Sequence, residues 1–188
     1  MAENLLKRSD DTDALIWHDE LGNFQKVTWS ELNDQVSSLQ HSLRELGIVK
    51  GDCIAAWLPN RPEAVIIMIA AASLGAVFTS TSPDFGVRGL LDRIQQAQPN
   101  LIFVSDGYSY GGKWFSLTDK ITQVELELPS IERTVIVPYP RRDQEENETN
   151  ITEKRQLWSE LLDRHEPTTV DFPAYDFNHP WYLSLIHI

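Results

Sequence analysis

The segment that most limits the folds open to this chain is AVIIMIAAASL, Ala64 to Leu74, with Gly75 and the strand-like AVF directly behind it. It is apolar on nearly every face and too short to span a bilayer. Such a segment must be a helix buried on more than one side of a folded domain. Asn60 or Arg61 is placed to cap it, and Pro62 falls in the first turn, where its missing N–H costs nothing. Gly75 can enter the left-handed region and close the last turn. Ala76 to Phe78 then start a brief buried strand, and Thr79 to Ser82 open a hydroxyl-rich turn stiffened by Pro83. A polar loop after a strand of an α/β sheet is where such folds place ligands.

The flanking sequence repeats the alternation. Ala14–Trp17 and Gln25–Val27 read as a hairpin around Leu21-Gly22-Asn23. Thr28 and Glu31 form a capping box, and Leu32, Val36, Leu39, Leu43 and Leu46 recur at helical spacing up to Gly47. Three further strands are expected at Cys53–Leu58, Leu101–Val104 and Thr134–Val137, beside Ala76–Ser80. Leu90, Leu91, Ile94 and Ala97 mark one amphipathic helix; Trp114, Leu117, Ile121 and Val124 mark another. Leu157, Trp158, Leu161 and Leu162 mark a last one, and Arg141–Asn150 reads as an acidic surface loop. Strands alternating with helices of this length predict an α/β fold, a doubly wound and mostly parallel sheet with flanking helices.

Charge and composition remove several functions. A formal net charge of -12 supplies no cationic footprint for nucleic acid. No apolar run is long enough for a membrane span, and the charged start MAENLLKRSDDTD is unlike a secretory signal. The single cysteine, Cys53, excludes an internal disulfide framework, suits a reducing, cytoplasmic setting, and sits where a core residue is expected. The five histidines (His18, His41, His165, His179, His187) lack metal-ligand spacing. The sequons at Asn147 and Asn150 read as chance matches in a polar loop.

Two loops carry possible chemistry. Gly107 to Lys113, GYSYGGK, satisfies G-x-x-x-x-G-K between an expected strand and an expected helix. Trp114 stands where a phosphate-cradling loop needs Ser or Thr for Mg²⁺, and no later strand ends in a suitable Asp. Lys113 is then either a point charge for a phosphate, helped by a helix N-terminus behind it, or a solvated lysine at a helix start. Asp84, in SPDFG, is expected to cap a helix starting near Gly86 or Val87, a role compatible with lining a ligand channel.

Three segments in order, AENLLKR at Ala2–Arg8, AAASLGAVFTSTSPDFG at Ala70–Gly86 and DGYSYGGK at Asp106–Lys113, resemble the adenylate-forming acyl-CoA synthetases. The SPDFG ending is most similar to the acetoacetate–CoA ligase branch of that family. The resemblance covers residues 2–183. It implies that 1–183 are part of the large N-terminal AMP-binding domain, and that 184–188 are an artefact of truncation. The chemistry it implies has two steps. The acetoacetate carboxylate attacks the α-phosphate of ATP, with Mg²⁺, to give an acyl adenylate and pyrophosphate; the thiol of coenzyme A then displaces AMP. Asp84, Phe85, Gly111, Gly112 and Lys113 would border the coenzyme A channel. The family's phosphate loop and catalytic lysine match nothing here, so this chain alone is expected to be inactive and to bind none of these substrates tightly. Two other readings stand beside it: a P-loop-like NTPase using Gly107–Lys113, and a non-catalytic α/β binding module.

Overall fold

The computed structural model describes residues 2–141 and 151–184. The acidic stretch at 142–150, expected to be a surface loop, and the end at 185–188 lie outside these residues. A short helix α1 (Ala2–Leu5) precedes the hairpin of β1 (Asp13–His18) and β2 (Phe24–Thr28), which turns at Gly22 with φ +77°. Thr28 then caps α2 (Trp29–Glu45): the Glu31 amide donates to Thr28 Oγ1 at 3.1 Å, and the Thr28 amide donates to the Glu31 carboxylate at 2.8 Å.

Alternation follows as the sequence predicts: β3 (Cys53–Trp57), α3 (Pro62–Ser73), β4 (Val77–Thr81), α4 (Gly86–Ile94) and β5 (Leu101–Ser105). Next come β6 (Gly107–Tyr110), β7 (Lys113–Ser116), α5 (Thr118–Glu127), β8 (Arg133–Val137), β9 (Arg155–Leu157) and α6 (Trp158–Leu162). Among the described residues, β3, β4, β5, β8 and β9 form one parallel sheet in the order β4-β3-β5-β8-β9. Counted along the chain this is 2-1-3-4-5, a doubly wound order that reverses between β3 and β5.

Both faces of the sheet are covered, which explains why its strands are apolar runs with no polar alternation. Ile54, Ala56, Phe103, Val135 and Val137 pack with α2, α3 and α6; Ala55, Trp57, Ile102, Val104 and Ile136 pack with α4 and α5. The Leu32, Val36, Leu39 and Leu43 stripe is buried as expected. Beside it Ser37, Ser38, Gln40 and Ser42 are buried too, which periodicity does not predict. Their partners lie far along the chain. Ser42 donates to the Leu161 carbonyl at 2.6 Å, Ser38 to the His165 carbonyl at 3.1 Å, and Gln40 exchanges two bonds with the Asp171 backbone. An extended strap, residues 163–171, is thereby fixed along α2. The chain then returns to the free edge of β4, where Tyr182 pairs parallel with Phe78.

Three local expectations are corrected. Trp114 belongs to β7, and the helix carrying Leu117, Ile121 and Val124 starts only at Thr118. The helix of Leu90, Leu91 and Ile94 ends at Ile94, before Ala97. Leu157, expected in the last helix, ends the unexpected strand β9, whose Arg155 reaches α5 to pair with Glu125.

Candidate ligand site at the C-terminal edge of the sheet

The carboxyl ends of β3 and β5 diverge where the strand order reverses, and the loops that leave them form the floor of the candidate site. Arg61, at the start of α3, is buried there. It donates to the Pro138 carbonyl at 2.7 Å and to Glu63 at 2.6 Å, and its guanidinium lies 5.5 Å from the Trp17 ring and 5.6 Å from the Tyr139 ring. No side chain caps α3; Arg61 holds the N-cap position but turns inward. Asp106, directly after β5, accepts the Tyr139 amide at 2.7 Å. Burial pushes its carboxyl above the usual range, partly opposed by the Tyr139 amide and by Arg141. The Tyr139 hydroxyl donates to Asp19 at 2.7 Å, and Tyr139 is pushed up by burial and by that bond. Burial opposes ionisation of Asp19, but bonds from Tyr139, Asn23 and Leu21 outweigh it and hold the group below the usual range.

Above this floor stands the β6–β7 hairpin. Gly111 and Gly112 form its two-residue turn with φ +59° and +71°, the left-handed pair that such a turn demands. The amides of Gly111 and Gly112 donate to the Glu20 carboxylate, at 2.9 and 3.1 Å. This corrects the phosphate-cradle reading of Gly107–Lys113. Its amides are taken by a carboxylate, and Lys113 opens a strand with no helix N-terminus behind it. Lys113 is exposed; its backbone pairs with Tyr110 across the hairpin, and its side chain makes no hydrogen bond or ion pair among the described residues. Gly107 is required by packing, since a Cβ there would lie 2.2 Å from the Trp114 ring. Trp114 packs on Tyr139 at 5.7 Å, under the Arg141 guanidinium at 4.6 Å. Tyr108 and Phe115 stack on the other face of the hairpin at 5.2 Å.

The SPDFG turn leaves the end of β4 as a single 3-10 turn, Pro83–Phe85. Asp84 does not cap the following helix: α4 has no side-chain cap, and Asp84 is exposed within the preceding turn. Phe85 is 51% exposed, with the Arg93 guanidinium 4.1 Å from its ring centroid. Burial raises the Tyr108 hydroxyl and the Asp84 charge adds to it, so the turn and the hairpin share one electrostatic neighbourhood. Asp84 and Phe85 follow β4, and Gly111, Gly112 and Lys113 follow β5; because both strands pair parallel with β3, the two turns leave the same edge of the sheet. Arg61, Asp106, Tyr139 and Glu20 also belong to this region; the sequence marked Arg61 only as a helix cap and gave no sign of the other three. The hairpin, read from the sequence as a loop leading into a helix, did carry a local signal: YSY and KWF about a Gly-Gly pair. Cys53 lies in the core, its thiol pushed up to about 11 by burial and by Asp52, and is no nucleophile. Among the described residues, no three His, Cys, Asp or Glu side chains gather to hold a metal, and no helix is long and apolar enough to cross a membrane.

A parallel sheet of this winding, with polar turns leaving its carboxyl edge, is a doubly wound α/β fold of the kind that binds ligands at that edge. The family of AMP-binding enzymes matches residues 2–176, and the chain belongs to that family. Within it, the chain is 47% identical over 138 residues to the acetoacetyl-coenzyme A synthetase of Rhizobium meliloti, covering 73% of this chain and 21% of that protein. It is 37% identical over 187 residues to the acetoacetyl-CoA synthetase of Danio rerio, covering 97% of this chain and 28% of that protein. Among solved structures, acetoacetyl-CoA synthetase from Streptomyces lividans matches with a TM-score of 0.86 and 36% identity, over 96% of this chain and 27% of that one. The chain therefore spans between 21% and 28% of the length of these relatives.

Proposed function

We propose that this chain is part of the large N-terminal AMP-binding domain of an acetoacetate–CoA ligase, with residues 1–183 as the portion of that domain present here. The observation that carries the reading is the 47% identity to an acetoacetyl-coenzyme A synthetase, joined to a sheet whose carboxyl edge gathers the turns expected at a ligand channel. In the complete protein the acetoacetate carboxylate attacks the α-phosphate of ATP and expels pyrophosphate. The coenzyme A thiol then attacks the acyl carbon, and AMP leaves. The substrates are small molecules, and the setting we assign is the cytoplasm. Magnesium, expected with ATP, finds no cluster of ligands among the described residues, so no step here runs through it.

The part assigned to this chain is the wall of the coenzyme A channel. Asp84 and Phe85 would form one side, and Gly111, Gly112 and Lys113 the other. Lys113 acts as a lone exposed charge on a hairpin, without help from a helix dipole, and the Gly111 and Gly112 amides contribute shape because Glu20 occupies them.

The experiment uses the complete ligase that carries this segment. It should release AMP and form acetoacetyl-CoA only with acetoacetate, ATP and coenzyme A together; failure with all three refutes the assignment. Lys113→Ala should raise the KM for coenzyme A roughly ten- to a hundredfold, from a charge-assisted contact of about 1.5–3 kcal/mol. Acetoacetate-dependent pyrophosphate exchange should fall far less. Equal losses in both steps would move Lys113 to the triphosphate, and no loss in either would make it a solvated lysine.

A further inference from the structure

Two hairpins distant in sequence are locked together over the strand reversal, and Glu20 makes the lock. Its carboxylate accepts the Gly111 amide with Oε2 and the Gly112 amide with Oε1. The turn that carries it is itself tied down. Asp19 accepts the Leu21 and Asn23 amides, each at 2.9 Å, and the Tyr139 hydroxyl at 2.7 Å. Asn23 Nδ2 bridges Asp19 at 2.8 Å and the Pro140 carbonyl at 2.9 Å. Tyr139 is buried, bonded through its amide to Asp106 and packed against Trp17, Trp114 and Arg61. A continuous series of contacts therefore runs from buried Arg61 to the exposed tip of the other hairpin.

We propose that Glu20 is a positioning residue, which fixes the Gly111–Gly112 tip and so aims Lys113 at the phosphates of coenzyme A. This rests on the ligase reading above. A Gly-Gly turn is the least restrained dipeptide a hairpin can use, and an exposed one holds no direction by itself. A carboxylate taking both amides supplies that direction through charge-assisted bonds. Glu20 also sets which group meets the ligand. Its negative charge covers the backbone donors, so a phosphate approaching the tip is met by the Lys113 ammonium.

The test compares Glu20→Ala and Glu20→Gln in the complete ligase. Readouts are the coenzyme A KM, kcat, acetoacetate-dependent pyrophosphate exchange, and hydrogen exchange of the Gly111 and Gly112 amides. Glu20→Ala should speed exchange at both amides and raise the coenzyme A KM by about tenfold, with a much smaller effect on pyrophosphate exchange. Glu20→Gln keeps one acceptor oxygen and should fall between. Unchanged amide exchange, or faster exchange with an unchanged coenzyme A KM, overturns the proposal. So does an equal loss in pyrophosphate exchange, which marks a general structural role. Should the unmutated ligase form no thioester, the ligase reading fails and this assignment with it. The amide comparison then separates that failure from the absence of the clasp.

Discussion

Replacing Glu125 with Ala tests how the far edge of the sheet is held. Arg155 on β9 and Glu125 on α5 are 5% and 12% exposed in their side chains and meet at 2.6 Å. The same carboxylate accepts Arg155 Nε at 3.0 Å and the Thr134 hydroxyl of β8 at 2.7 Å, so one group joins α5, β8 and β9. Removing one partner of a buried pair costs about 3–5 kcal/mol, chiefly because the other charge stays desolvated. With a urea m-value of about 1–3 kcal/mol/M, the unfolding midpoint should fall by about 1–5 M. The pH dependence has a defined sign. Burial alone would raise the Glu125 pKa, but the bonds from Arg155 and Thr134 outweigh it, and the folded value lies below the ordinary 4.5. The folded state therefore binds this proton more weakly than the unfolded chain. Its contribution is complete above the unfolded pKa and is lost as pH falls through the folded one. Urea titrations of both proteins at pH 7 and at successively lower pH should show the gap closing only below about pH 4. An unchanged midpoint at pH 7, or a gap that widens on acidification, refutes the reasoning.

Two further substitutions probe the core and the hairpin. Leu39→Ala removes a fully buried side chain between α2 and the sheet and should cost about 2–5 kcal/mol, read as a lower urea midpoint; a loss below about 0.5 kcal/mol would mean the stripe does not face the core. Gly107→Ala places a Cβ 2.2 Å from the Trp114 ring and 2.7 Å from the Phe115 carbonyl, and should cost about 1–3 kcal/mol while shifting the tryptophan emission; an unchanged spectrum and midpoint would contradict the packing described.

The sequence by itself determined most of the periodic structure. The helix over Ala64–Leu74 is apolar all round because it packs at once against the sheet, α2, α1 and β1, and its all-apolar pattern stated that burial in advance. The capping box of Thr28 and Glu31, the stripe from Leu32 to Leu43 and the four expected parallel strands are local signals, each complete within a few residues, and each recurs in the fold. The family resemblance was legible for the same reason, since its three segments are short and contiguous.

Tertiary structure decided what depends on partners far along the chain. Trp114 stands three residues before Leu117 and so fitted a helical stripe, but the Gly-Gly turn commits it to a strand and Tyr139 supplies its surface. Glu20 offers no local sign of its role, because the amides it holds lie 91 and 92 residues away. Asp106 and Arg61 look like ordinary loop residues until the reversal of strand order buries them together under Tyr139. The buried serines of α2 follow the same logic: their hydroxyls are satisfied by the end of α6 and the strap behind it, whose approach no period along α2 encodes. Spacing within a segment reports which face is apolar. Which donor meets which acceptor is fixed only when the sheet order brings the loops to one edge.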